Sequence, residues 1–144
     1  MLKLTEEQVK KIAEQLDCGF RCFIHRQTGE LITLPDTLRY LEMDTEAWAD
    51  EQGKLDNNFD EYFEIDLLES KDSFEIMADF TEQLDDKIKL KADLIKSLNK
   101  KKPFREFNFV INNSGIYRQQ WFDFKNERLK MWVKNRLKYI SDTE

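Results

Sequence analysis

The stretch KKKPFREFNFVINNSGIYRQQWFDFKNE, residues 100–127, sets seven aromatic rings among six cations. Such a mixture suits two quite different things. One is a nucleic-acid face, where rings stack on bases and cations meet phosphates; the other is a helical core with a charged rim. Spacing separates them. Pro103 is a natural first residue of a helix, after which Phe104, Phe107, Val110 and Ile111 follow the i, i+3, i+4 rule and Arg105 projects away from most of them. Asn112 to Gly115 turn the chain. From Tyr117 to Tyr139 runs the longest helical pattern, with Trp121, Phe122, Leu129, Trp132, Val133, Leu137 and Ile140 on more than one stripe. The aromatics therefore read as core and the cations as rim.

Upstream, Asp85-Asp86 restarts the chain into a helix over 88–98 with Leu94, Ile95 and Leu98 inward. Before it, Ser70 is the expected cap of a helix with Asp72 in its first turn and Phe74, Met77, Phe80 or Ala78, and Leu84 on one face. EYFEID, 61–66, alternates as a half-buried strand. Residues 37–55 carry a mixed signal: a short helical pattern at Leu38–Leu41 and a second from the cap Asp44 through Trp48. At the N-terminus Thr5 and Gln8 form a capping box, and Val9, Ile12, Ala13 and Leu16 share a face. Gly19 ends that helix. FRCFIHRQTGELITL then reads as a hairpin in which Gly29 takes the positive φ of the turn. The expectation is one α+β domain over 1–144: a small sheet including the N-terminal hairpin, about five helices, and an all-helical C-terminal half.

The composition suits a folded chain of 144 residues, with 40% hydrophobic and 36% charged residues. No leader pattern and no apolar window approaching ~18 residues is present, so a cytoplasmic protein with no membrane partner is expected. The net charge of −6 conceals an asymmetry: residues 1–95 carry −13, residues 96–140 carry +9, and the last four residues −2. The two blocks either neutralise each other within the fold or leave the basic part to an anionic partner; neutralisation is the simpler reading.

Chemistry is sparse. His25 is the single histidine, and Cys22, three residues before it on a strand, points to the opposite face, so no Cys-His dyad is expected and the histidine reads as solvated. Cys18 and Cys22 in CGFRC are too few for a disulfide framework and wrongly spaced for a zinc knuckle. Asp56, Asn58 and Asp60 start a calcium-loop pattern that fails at Glu61 and Leu67, where Gly and Glu are needed. The four glycines build no phosphate loop. No catalytic residue, metal or cofactor is expected, which weighs against an enzyme.

Several clusters resemble an uncharacterised bacterial family, number 0158 of the UPF series. They are TGELITLP (28–35); Tyr62, Ile65, Ser70, Met77 and Phe80; PFREF (103–107); Arg118, Trp121, Phe122, Phe124 and Lys125; and Trp132-Val133. The resemblance implies positions and not chemistry, because the family has no agreed activity. Glu106 stands where the family pattern implies a second arginine, which weakens any paired-arginine anion clamp. The leading functional expectation is a non-enzymatic interaction or regulatory domain with a protein partner. Its candidate binding or anchoring residues are Lys101, Lys102, Arg105, Arg118, Trp121 and Arg128, with Arg105 and Arg118 anchored on carboxylates such as Glu64 or Asp66. Nucleic-acid or other polyanion binding by the same basic helices is the second expectation, and a small enzyme the third.

Overall fold

A computed structural model of the chain describes residues 3–35 and 48–143, with side chains described to residue 140. The helical pattern expected at Leu38–Leu41 and the cap at Asp44 lie outside the described residues. The fold is α+β: three antiparallel strands and, among the described residues, six α-helices, with the C-terminal half entirely helical. The chain groups into two compact units, Met1–Leu67 with Leu129–Glu144, and Leu68–Arg128.

The first unit begins with α1, Glu6–Asp17. Its capping box forms as expected: the Thr5 N–H donates to Gln8 Oε1 at 2.8 Å and the Gln8 N–H to Thr5 Oγ1 at 3.1 Å. Strands β1 (Phe20–His25) and β2 (Leu31–Pro35) make the hairpin, with Gly29 at φ 76° in its turn. Strand β3, Tyr62–Ile65, joins the other side of β1, giving the order β2-β1-β3. Both faces of β1 are covered, so Cys22, Phe23 and Ile24 are buried in succession instead of alternating with solvent. One face carries Cys22, Ile24 and Ile65 and receives α1, with the Cys22 thiol 4.0 Å from the Ile12 carbonyl. The other packs Phe23, Ile32, Leu34 and Tyr62 against Leu55 of α2 (Ala49–Asn57) and against Trp48.

The second unit holds α3 (Ser70–Gln83), α4 (Lys89–Leu98), α5 (Pro103–Asn112) and the first part of α6 (Ile116–Thr143). Pro103 occupies the first turn of α5 as expected, and Gly115 turns the chain at φ 68°. The core is aromatic. Trp121 meets Phe107 and Phe80 edge to face at 4.9 and 5.4 Å between centroids, and Phe124 meets Phe80 at 5.4 Å. Around them lie Ile76, Met77, Leu84, Leu94 and Ile111.

Four local expectations need correction. The cap of α3 is Glu69, not Ser70: the Glu69 N–H donates to the Asp72 carboxylate at 3.0 Å, so the cap sits one residue earlier than expected. Phe74 lies at the rim of α3 and Ile76 takes the buried position instead. Ile95 is 45% exposed while Ser97 is buried, its hydroxyl satisfied by the Leu94 carbonyl at 2.7 Å. Phe104, at 37% exposure, stands at the edge of the α5 core face.

These placements separate two substitutions that look alike in sequence. In urea unfolding, Phe107→Ala is expected to cost about 3–5 kcal/mol, whereas Ile95→Ala should stay within about 0.5 kcal/mol. Equal costs would contradict the burial pattern of the helical unit.

Candidate functional site

The six residues singled out in the sequence do not form one face. Lys101 and Lys102 are exposed where the chain enters α5. Arg105, on the first turn, leaves 70% of its side chain exposed and pairs with its neighbour Glu106 at 3.3 Å. Trp121 is buried in the aromatic core. Arg118 and Arg128 lie on α6.

Along α6 the cations lie over rings three or four residues away, where helical spacing brings side chains together. The Arg118 guanidinium sits 4.8 Å from the Phe122 centroid, and Lys125 sits 5.1 Å from Phe122 and 5.8 Å from Trp121. Arg128 lies 5.8 Å from Phe124 and also donates to the Asp79 carboxylate of α3 at 2.7 Å. Each stacked cation contributes ~0.5–1 kcal/mol at such exposed or half-exposed positions.

The expected anchors are different. Glu64 is held by Arg21, which donates through Nε and an Nη at 2.9 and 3.0 Å. The register explains this: Phe23 pairs with Glu64, so Arg21, two residues away on the same face, is its diagonal neighbour. Asp66 pairs with Arg136 at 3.7 Å, and its carbonyl accepts from the Trp132 indole at 3.0 Å. Arg128, on Asp79, is the long-range anchor of α6 in the helical unit.

A second polar assembly, missed in the sequence, lies at the hairpin end of the sheet. His25 is half-buried and engaged, not solvated. Its Nδ1 accepts from the Gln27 and Thr28 N–H groups at 3.1 Å each, so the ring proton belongs on Nε2, 3.5 Å from the Glu61 carboxylate. The Tyr62 ring meets the imidazole edge to face at 5.1 Å, and its hydroxyl lies 3.4 Å from Glu30. The hydrogen bond from Lys54 holds the Glu30 carboxyl below the usual carboxylate pKa range, while burial, helped by the Glu30 charge, pushes the Tyr62 phenol above its ordinary pKa. The only signal in the sequence was a histidine beside a glycine turn. Lys91 was missed too. Its ammonium places three donors on the Glu82 and Leu84 carbonyls and the Asp86 carboxylate, at 3.1, 3.0 and 2.7 Å, closing the C-terminal end of α3.

Among the described residues no His, Cys, Asp and Glu side chains gather as a metal site. Cys22 and His25 point to opposite faces of β1, as strand parity requires. No described helix is long and apolar enough to cross a membrane.

An α+β protein with a small hairpin-based sheet and a rim of stacked cations is thus defined. The chain matches the uncharacterised protein family UPF0158 over residues 3–141 and belongs to it. It is similar to UPF0158 protein PA5073 of Pseudomonas aeruginosa, with 29% identity over 90 residues, 62% of this chain and 56% of that protein. The match therefore spans little more than half the length of that relative. No solved structure matches the chain.

Two measurements test the site. Arg128→Ala should destabilise the fold by about 1–2 kcal/mol, with part of that loss shared with Asp79→Asn in a double-mutant cycle, while Arg105→Ala stays within about 0.5 kcal/mol. A larger loss at Arg105 than at Arg128 would invert the assignment of the anchor.

The second concerns Cys22, whose thiol is pushed up to about 12 by burial and, less, by the Glu64 carboxylate. An unfolded cysteine ionises near ~8.5. Stability from this group is fully present below that pH and is lost as pH rises toward the folded value, because the unfolded chain then binds fewer protons. Iodoacetamide at mildly alkaline pH should therefore add one mass increment to the native protein, at exposed Cys18, and two in urea. Two native increments would show that Cys22 is accessible.

Proposed function

We propose that the chain acts as a cytoplasmic, non-enzymatic interaction module, with the outward side of α5 as its protein-contact surface. One observation carries this reading. Phe109 is 69% exposed, one helical turn after the exposed Arg105, on a helix whose opposite side, Phe107 and Ile111, is wholly buried. Phenylalanine and arginine are both among the residue types enriched at protein–protein interfaces, and arginine is also enriched at their hot spots. Lys101 and Lys102 extend it with positive charge toward the helix start, which favours a partner segment bearing carboxylates and an apolar anchor.

A polyanion partner is the second reading, supported by the exposed lysines at 101 and 102. Net charge argues for the first. Residues 68–128 contain 12 Lys and Arg against 11 Asp and Glu, a net of +1, so this unit projects little positive field. Trp121, the ring best suited to stack on a base, is in the core.

Selection of random displayed peptides on the immobilised protein distinguishes the readings. Enrichment of acidic, aromatic peptides is expected, with affinity falling about tenfold or more in Phe109→Ser at unchanged thermal stability. Peptides bound equally by Phe109→Ser would remove α5 from the contact. Salt-steep binding of labelled RNA or DNA, abolished by Lys101→Glu with Lys102→Glu, would transfer the face to polyanions.

A further inference from the structure

The sheet unit carries a strongly exposed phenylalanine of its own, in surroundings of the opposite sign. Phe59, 68% exposed, opens the short 3-10 turn Phe59–Glu61 between α2 and β3, with Asp56 and Asp60 exposed beside it in sequence. Hydrogen bonds hold this turn from within. The Asn58 amide donates to the Lys54 carbonyl at 3.0 Å, the Glu61 N–H to the Asn58 carbonyl at 2.9 Å, and the Arg26 N–H to the Glu61 carbonyl at 2.8 Å. Lys54, the nearest cation in sequence, is committed to Glu30. The ring is thus presented on a preorganised acidic turn, with little ordering left to do on binding. The unit bearing it holds 11 Lys and Arg against 18 Asp and Glu, a net of −7.

We propose that the acidic Phe59 turn of one copy docks on the Arg105–Phe109 side of α5 of a second copy, so that the protein self-associates head to tail. The proposal rests on the reading of α5 as a contact surface and names its partner. Charge complementarity selects the occupant: Asp56 and Asp60 face Arg105, Lys101 and Lys102, while Phe59 and Phe109 supply the apolar contact. Both halves are carried by every copy. Because the two patches differ, the interface is heterologous, and each added copy leaves one turn and one helix side unfilled unless the rotation closes a ring. Assembly therefore grows with concentration and weakens with salt, since the paired charges are exposed.

The test is sedimentation of the full chain over a wide concentration range, at low and physiological salt. For the wild type, an average mass rising above the 17.4 kDa monomer and falling back with salt is expected. Phe59→Ser and Phe109→Ser should each remain monomeric. Mixed together they should form a 1:1 heterodimer, because one contributes an intact helix side and the other an intact turn. Both positions are exposed, so loss of folding is not expected; circular dichroism checks it, and Asp60→Lys mixed with Arg105→Glu repeats the complementation by charge exchange. A wild type that stays monomeric at low salt, or variants that fail to complement, would overturn self-association. Peptide binding through Phe109 that survives such a result would leave the contact surface intact and assign it to another acidic partner.

Discussion

The edge-to-face packing of Trp121 against Phe107 and Phe80 ties α6, α5 and α3 into one unit. Rings of this size each bury on the order of 150–250 Å², and the tilted geometry adds to that burial. Once Phe107 and Ile111 face that cluster, the helical repeat leaves Arg105, Asn108, Phe109 and Asn112 pointing away from it. The same packing that consumes most of the aromatics of residues 100–127 thus determines which of them remain outside. Several cations follow the rings: Arg118 and Lys125 lie over them, and Arg128 also reaches the Asp79 carboxylate.

In the sheet unit the organising constraint is the central position of β1. A strand with neighbours on both edges and helices on both faces can bury consecutive side chains, and here it buries three. Parity then separates its reactive groups. Cys22 points toward α1 and is held protonated by burial, while His25 turns toward its own hairpin and accepts two backbone donors. A histidine whose Nδ1 lone pair closes a turn is a structural element of that turn.

Local signals were the legible part of the fold. The Thr5–Gln8 box, the Gly29 hairpin, the proline start of α5 and the glycine at 115 depend on residues within a few positions of one another, and each forms as the sequence implies. Positions set by packing between elements were less legible. Ile95 and Ser97 exchange the roles that hydrophobicity assigns them, because the small hydroxyl can bond to the preceding turn and enter the core. The long-range pairs were not legible at all. Glu64 with Arg21 depends on strand register, and Asp79 with Arg128 spans 49 residues, neither of which periodicity along one helix can reveal.

The charge asymmetry acquires a physical meaning at the level of these units. The basic run after residue 96 lies mostly in a unit whose residues 68–95, with a net of −4, bring the sum to +1, so strong long-range attraction of a polyanion is not what this surface offers. Its short-range chemistry is more distinctive. Fully burying a phenylalanine recovers ~1.5–3 kcal/mol relative to leaving it in water, whereas an exposed ion pair contributes ~0.2–1 kcal/mol and is screened by salt. On the proposed contact side of α5, with one strongly exposed ring and three cations, the charges would set which surface approaches and in which orientation. Burial of the ring would set how long it stays.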